Sequence, residues 1–414
     1  MKTKVTIDAS QWKKALAMLS PVVNAKMTLP ILADVILKYE QEREVFTMTA
    51  SDSETWITLD CVDKDGQPWM RMIEDDLKDK FTEVAIPFAA LKEAVGLLPS
   101  AQLLQVWFSD NVMKVNYGIG EFEMGTEPSE TFPQPLPVAE KDTQDALCRF
   151  RMDADKLLPP MAAAIESSAD DELRMVMNGV CLDVYNDKVI VVATNGHELF
   201  KDVIETGIGS GWLEYAAFPA FDKNTNQPGS AKLLVTKKAR KALASAVSDG
   251  QITVTADTQR IEFTAQGVRI VARLIEGNFP NYESVIPKDS QYRVTMDRAA
   301  MRMALRRVQL SANESTNMVE LRRDGEAFIV RAANMDNGRS GQERVEIHDT
   351  DAFLPEQFFI GLKISTAVGI LDRIQTESVV LILSDSSRPV LYRPEDAHSS
   401  RLILQMPMRV EERL

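Results

Sequence analysis

Histidine and cysteine are scarce, with three of each in 414 residues. His197, His348 and His398 stand at no metal-ligand spacing from one another or from a cysteine, so no zinc site is expected. Cys61, Cys148 and Cys181 are far apart and form no CxxC pair. That argues against a disulfide framework and fits a reducing cytoplasm. No stretch approaches the roughly 20 apolar residues of a membrane helix. The opening MKTKVTIDASQW lacks the apolar segment of a secretion signal. A cytoplasmic protein with no membrane partner is expected.

Signatures of catalysis are missing as well. There is no GxxxxGK[ST] phosphate loop and no GxSxG elbow. Gly207, Gly209 and Gly211 are spaced too closely for a dinucleotide fingerprint and read as a loop. The expectation is therefore a protein that is not an enzyme, with no catalytic residue, cofactor or metal. A metal-dependent DNA enzyme and a repeat scaffold that binds only proteins stand as the alternatives. The net charge of −14 argues against coating DNA at random, because such binding rests on phosphate neutralisation. It leaves room for a segregated basic face, since the Debye length at physiological salt is only about 8 Å.

What the chain does contain is a pattern written three times. KTKVTIDASQWKKALAML, CRFRMDADKLLPPMAAAI and YRVTMDRAAMRMALRRVQL each read as a strand, an Asp and an amphipathic helix. The aligned Asp8, Asp153 and Asp297 suit helix N-caps. Trp12, Ala15, Leu16 and Leu19 share one helical face, as do Met301, Ala304, Leu305 and Val308. EVAIPFAALKEAVGLL, KLLVTKKARKALASAV and FFIGLKISTAVGIL each read as a strand running into a second helix, followed by alternating strands. Asn195-Gly196 between KVIVVAT and HELFKDVI predicts a two-residue hairpin with both turn residues at positive φ. QPLPVAEKDTQD reads as a linker, and SSADDE (167–172), NTNQPGS (224–230) and DNGRSGQE (336–343) read as exposed loops. The expected fold is α+β: three tandem domains over 1–140, 146–289 and 290–414, each with two helices packed on antiparallel sheets.

The polar faces of these helices carry cations. Arg298, Arg302 and Arg306 lie four apart on one stripe, and Lys237, Lys238, Arg240 and Lys241 open another helix. Taken singly each is a solvated face. Taken together they suit a surface that meets phosphates without reading sequence.

TLPIL (28–32), MNGVCLDV (177–184), VVATNGHEL (191–199), ARLIEGNFPNYESVIPK (272–288) and LQMPMRV (404–410) resemble stretches of the bacterial DNA polymerase III beta subunit, the sliding clamp family. The resemblance implies three DNA-clamp domains per chain and a head-to-tail homodimeric ring. Such a ring is a processivity factor: it encircles double-stranded DNA without sequence preference. It also implies a peptide-binding cleft for the polymerase III catalytic subunit, the clamp loader, and other polymerases and repair proteins. Carried over by position, the cleft comprises Met177, Thr194, Gly196, His197, Leu199, Pro280, Val285, Met406, Pro407, Met408 and Arg409. DNA contacts fall on Lys26, Arg174, Lys237, Arg302 and Arg306, and the dimer interface on Phe122, Met124 and Leu310. Glu198 and Ser284 stand where the family has basic residues, Lys363 and Thr366 replace an Asn and a Tyr, and Pro389 replaces a Ser. Glu198 is thus expected to disfavour acidic peptide motifs.

Overall fold

The computed structural model describes residues 3–410 apart from 24–28, 75–81, 101, 110, 140, 142, 207–210, 219–220, 223–226, 290, 336 and 351–353. One pattern recurs three times within them. A strand enters a helix, three strands follow, another strand enters a second helix, and three strands close the copy. The first copy is β1 (Thr3–Asp8), α1 (Ala9–Leu19), β2 (Asp34–Glu40), β3 (Val45–Ser51), β4 (Thr55–Asp60), β5 (Glu83–Pro87), α2 (Phe88–Leu97), β6 (Leu103–Ser109), β7 (Val112–Asn116) and β8 (Glu121–Gly125). The second is β9 (Ala146–Asp153), α3 (Ala154–Ala164), β10 (Gly179–Val184), β11 (Lys188–Thr194), β12 (Glu198–Glu205), β13 (Ala231–Thr236), α4 (Lys237–Ala246), β14 (Gln251–Asp257), β15 (Arg260–Ala265) and β16 (Val268–Arg273). The third is β17 (Tyr292–Asp297), α5 (Arg298–Gln309), β18 (Met318–Asp324), β19 (Ala327–Asn334), β20 (Arg339–Glu346), β21 (Phe359–Lys363), α6 (Ile364–Arg373), β22 (Ser378–Leu383), β23 (Val390–Pro394) and β24 (Leu402–Gln405).

The helix starts are set by short polar side chains. Asp8 Oδ1 accepts from the Gln11 amide at 3.0 Å, Thr236 Oγ1 from the Ala239 amide at 3.0 Å, and Asp297 from the Ala300 amide. Each such cap contributes about 1 kcal/mol. Asp153 instead meets Lys156 Nζ at 3.0 Å.

The chain forms two compact units. The first is Met1–Pro159 with Tyr185–Asp187 and Thr206–Glu276; the second is Pro160–Val184 with Lys188–Glu205 and Gly277–Leu414. In the first unit, Met70–Glu74, β1, β6, β7 and β8 form one sheet. Leu213–Ala216, β9, β14, β15, β16, β4, β3, β2 and β5 form another. That second sheet joins two copies through the antiparallel pair β4–β16, with Trp56 opposite Val271 and Leu59 opposite Val268. Trp12, Leu16 and Leu19 of α1 are buried beneath, and Ser245 Oγ of α4 donates to the Met18 carbonyl at 2.9 Å.

The second unit repeats the device. β12 pairs with β24, Leu199 opposite Leu404, inside a run that continues through β23, β22 and β17. β20, β19, β18 and β21 form a separate sheet. Met301, Ala304, Leu305 and Val308 of α5 are buried, the face that the spacing predicts.

Three local expectations are corrected. Within 336–343, Arg339 onward is strand: β20 pairs with β19 from Asn334↔Arg339 to Ala327↔Glu346. Its residues are polar because it is a sheet edge, open on one side. In 167–172, Ser167, Ser168 and Ala169 are buried rather than exposed. Ser167 Oγ donates to Glu198, which gives the hydroxyl a reason to be inside. The Asn195-Gly196 turn has positive φ at Gly196 alone. Asn195 accepts from the His197 and Glu198 amides at 2.9 Å each and pairs backbone to backbone with Glu198. Gly196 and His197 are therefore the central residues, the pattern of a type II′ hairpin. In 224–230, only 227–230 are described, and Gln227–Pro228 pairs with Phe221–Asp222.

Candidate peptide cleft and nucleic-acid face

The residues expected to form the cleft all lie in the second unit, and backbone bonds bring several of them together. The Met406 amide donates to the His197 carbonyl at 2.8 Å, fixing the segment after β24 against the hairpin loop. The Met408 amide donates to the Gly361 carbonyl at 2.7 Å. A Cβ on Gly361 would stand 2.6 Å from the Met408 carbonyl oxygen, so only glycine allows this approach. On the other side, Arg174 donates to the Asn195 carbonyl at 3.1 Å, which holds the turn Glu172–Met177 over the same loop. Lys201 Nζ reaches Glu283 at 2.5 Å and the Tyr282 hydroxyl donates to buried Asp183 at 2.8 Å, anchoring Tyr282–Val285.

These residues divide into two groups. Gly196, His197, Val285, Met406 and Arg409 are exposed, and Met177, Pro280, Pro407 and Met408 are half-buried. Thr194 and Leu199 lie beneath them, 7% and 2% exposed. Thr194 Oγ1 accepts from the Gly196 amide at 3.1 Å and donates to the Glu198 carbonyl at 2.7 Å, so it shapes the loop rather than presenting a surface. Exposed Met406 and half-buried Met177 and Met408 together supply an adaptable apolar surface suited to several partners.

Glu198 departs most from expectation. It is 6% exposed, ion-paired with Arg373 and hydrogen-bonded by Ser167. Its charge is neutralised from within, so it is not an acidic feature offered to a peptide. Next to it, the Tyr392 hydroxyl donates to Gln405 at 2.9 Å, and Gln405 donates to the Lys363 carbonyl at 3.0 Å. Burial, and then the charge of Glu198, push the Tyr392 phenol upward, so it stays a donor. Gly361, Arg373 and Gln405 lie beneath the candidate cleft, and the sequence reading missed all three.

The basic stripe of α5 is largely engaged. Arg298 donates to the Thr376 carbonyl at 2.8 Å and the Leu371 carbonyl at 3.3 Å, satisfying the end of α6. Arg302 pairs with Asp372 and Arg307 with Glu343. Arg306 is exposed and has no partner among the described residues. In the first unit Lys238 pairs with Asp52, and Lys237 is half-buried at the start of α4. Arg174 is half-exposed and also meets Asp171 at 3.2 Å. Lys26 lies outside the described residues. Pairing partners on other elements are what the helical spacing could not show.

Among the described residues no group of three or more His, Cys, Asp or Glu stands together as a metal site, and no helix is long and apolar enough to cross a membrane. The three cysteines are buried and form no disulfide, and burial pushes the Cys148 thiol up to about 12.

The architecture is that of the sliding clamps. A crystal structure of the Pseudomonas aeruginosa clamp bound to griselimycin matches with TM-score 0.81 at 23% identity, over 99% of this chain and 100% of that one. The Thermotoga maritima beta subunit matches with TM-score 0.81 at 21% identity and the same coverage. In sequence, the beta sliding clamp of Pseudomonas aeruginosa is 25% identical over 407 residues, 98% of this chain and 99% of that protein. That of Synechococcus elongatus is 23% identical over 395 residues. Residues 283–409 match the family described as DNA polymerase III beta subunit, C-terminal domain. Residues 283–409 thus match the C-terminal domain of the DNA polymerase III beta subunit, and nearly the whole chain is similar in sequence and fold to the beta sliding clamps.

Proposed function

We propose that this chain is a DNA sliding clamp. Two copies close head to tail into a ring around duplex DNA, and the cleft tethers the replicative polymerase, the clamp loader and repair proteins by short linear motifs. The observation that carries this is a matched pair of open strands. β4, β12 and β20 are equivalent, each the third strand after the first helix of its copy. β8, β16 and β24 are equivalent, each the third strand after the second helix. β4 pairs with β16, and β12 pairs with β24. β20 and β8 each stand at the end of a sheet. Long open edges invite pairing. The two open strands sit at opposite ends of the repeat, so the contact is heterologous, and it ends only if the chain of copies closes.

The internal junctions also supply a register. Trp56 and Leu199 each follow a four-residue loop closed by Ser51 and Thr194, and each faces the joining strand at Val271 or Leu404. Arg339, opposite Asn334, is their counterpart in β20. Val271 lies three residues after Val268, which pairs with Ala265; Glu123 lies three after Gly120, which bonds to Tyr117. Glu123 of one chain thus faces Arg339 of the next. Phe122 and Met124 are half-buried where their counterparts Ile270 and Ala272 are 0% exposed, as expected of positions that a partner covers. Leu310, 78% exposed at the end of α5, is assigned to the same contact.

Domain borders at 1–140, 146–289 and 290–414, cytoplasmic residence and a purely non-catalytic role complete the proposal. DNA contacts are assigned to Lys26, Arg174, Lys237, Arg302 and Arg306, with Arg306 the least engaged. The test is topological. Protein loaded on nicked circular DNA should stay bound through gel filtration and leave when the circle is cut once. Equal loss from cut and uncut circles would overturn the ring, as would metal-dependent turnover of the DNA.

A further inference from the structure

The repeat permits a comparison between the two closed junctions, one in each unit. In the second unit the space where α3, α6, β12 and β24 meet is filled by two arginines. Arg401 Nε reaches Asp202 at 3.0 Å, and its Nη1 donates to the Arg373 carbonyl at 3.3 Å. Arg373 Nη1 donates to the Ala163 carbonyl at 3.3 Å. Their side chains are only 18% and 11% exposed.

In the first unit the same positions are small or apolar. Counting from Trp56 and Leu199, Leu59 stands where Asp202 does; counting back from Val271 and Leu404, Val268 stands where Arg401 does. Counting from the N-caps Thr236 and Lys363, Ala246 stands where Arg373 does. The space that two guanidinium groups fill in one junction is open in the other. It is a groove of about 400 Å³ with Ala15, Met18, Leu59, Trp69, Val247 and Val268 in its lining. Its rim bears four carboxylates, Asp60, Asp63, Asp65 and Asp249, against Lys14 and Lys64. Asp60 is paired with Arg43, which lies outside the lining. The Asp63 carboxylate accepts from the Asp65 and Gln67 amides at 2.9 and 2.8 Å, which holds the acidic loop in place.

We propose that this groove is a second docking site, independent of the cleft, for an arginine-bearing, apolar-flanked segment of a partner protein. The size lies within the range of ligand sites, and the wall sets apolar side chains beside a charged rim. The charge excess on the rim selects a cation, and the filled junction shows that a guanidinium fits this position in the fold. An arginine inserted beside Leu59 and Val268 would lay its stem on those side chains and carry its head to the carboxylates.

The test uses two probes on the full-length protein: N-acetyl-arginine methylamide, and the peptide acetyl-Gly-Leu-Arg-Leu-Gly-amide, with citrulline versions of each as neutral controls. Binding is read by ligand-observed NMR. The arginine probes should bind and the citrulline probes should bind at least about 10-fold more weakly, because the charge-assisted bonds are lost. The peptide should bind more tightly than the single residue. L59D/V268R rebuilds the Asp202–Arg401 half of the other junction's plug and should remove binding. Asp249→Asn, a change at an exposed site, should weaken it several-fold without affecting the fold. Equal binding of citrulline, unchanged binding by Asp249→Asn, a peptide no tighter than the single residue, or no binding by any probe would each overturn the proposal.

Discussion

Replacing Arg373 with Met should destabilise the second unit far more than a surface charge change would. Glu198 and Arg373 are 7% and 11% exposed as side chains, so neither charge is rescued by water. Removing one partner of a buried pair costs about 3–5 kcal/mol, chiefly because the other charge stays buried alone. Ser167 remains as one donor to Glu198, while Arg373's own bonds to Ser167 at 2.7 Å and the Ala163 carbonyl are lost. A loss of about 4 kcal/mol is therefore expected, with partial recovery in E198Q/R373M, where no unpaired charge remains. The assay has a built-in locator. All five tryptophans, Trp12, Trp56, Trp69, Trp107 and Trp212, belong to the first unit. Urea unfolding followed by far-UV circular dichroism should shift strongly, and the tryptophan fluorescence transition should shift less. A loss under about 1 kcal/mol, or a double variant no better than R373M, would refute the reasoning.

Other perturbations follow from the same geometry. Burial, and then the nearby charge of Glu127, raise the Asp34 carboxyl to about 6. Its folded value lies above its unfolded value, so the cost is full above pH 6 and fades as pH falls toward 4. Asp34→Asn should stabilise the protein by about 2 kcal/mol at pH 8 and by little at pH 4.5, as thermal unfolding at the two pH values will show. Gly361→Ala should displace the segment Met406–Arg409 and reduce affinity for a clamp-binding peptide by about 10-fold or more, measured by fluorescence anisotropy. Arg306→Ala should lower the salt dependence of DNA binding by about one unit of slope, while Arg302→Ala, already paired with Asp372, should change it less. Glu123→Arg or Arg339→Glu should each weaken self-association by about 10-fold in sedimentation, and the double reversal should restore it.

Much of this fold could be read in the chain because the repeat is written in local chemistry. Asp8 and Asp297 cap helices, Trp12 to Leu19 and Met301 to Val308 set the helical period, and β14 and β15 alternate in two-residue steps. What failed to show depends on partners far away in sequence. Arg339–Glu346 looks like a loop because an edge strand has little apolar demand, and only Val345 in it is buried. Ser167 looks exposed until Glu198 and Arg373 are placed beside it. The arginines of α5 look like one cationic stripe until Asp372, Glu343 and the α6 carbonyls engage them. The candidate cleft rests on resemblance to a family, and the glycine that lets the segment Met406–Arg409 approach was not legible in the sequence.

Ring closure depends on the third junction, which needs a second chain. Sedimentation equilibrium at micromolar concentration should give twice the 46.2 kDa chain mass. It should fall toward the single-chain value in either single variant, Glu123→Arg or Arg339→Glu. A wild-type mass of one chain, or of three, would contradict it.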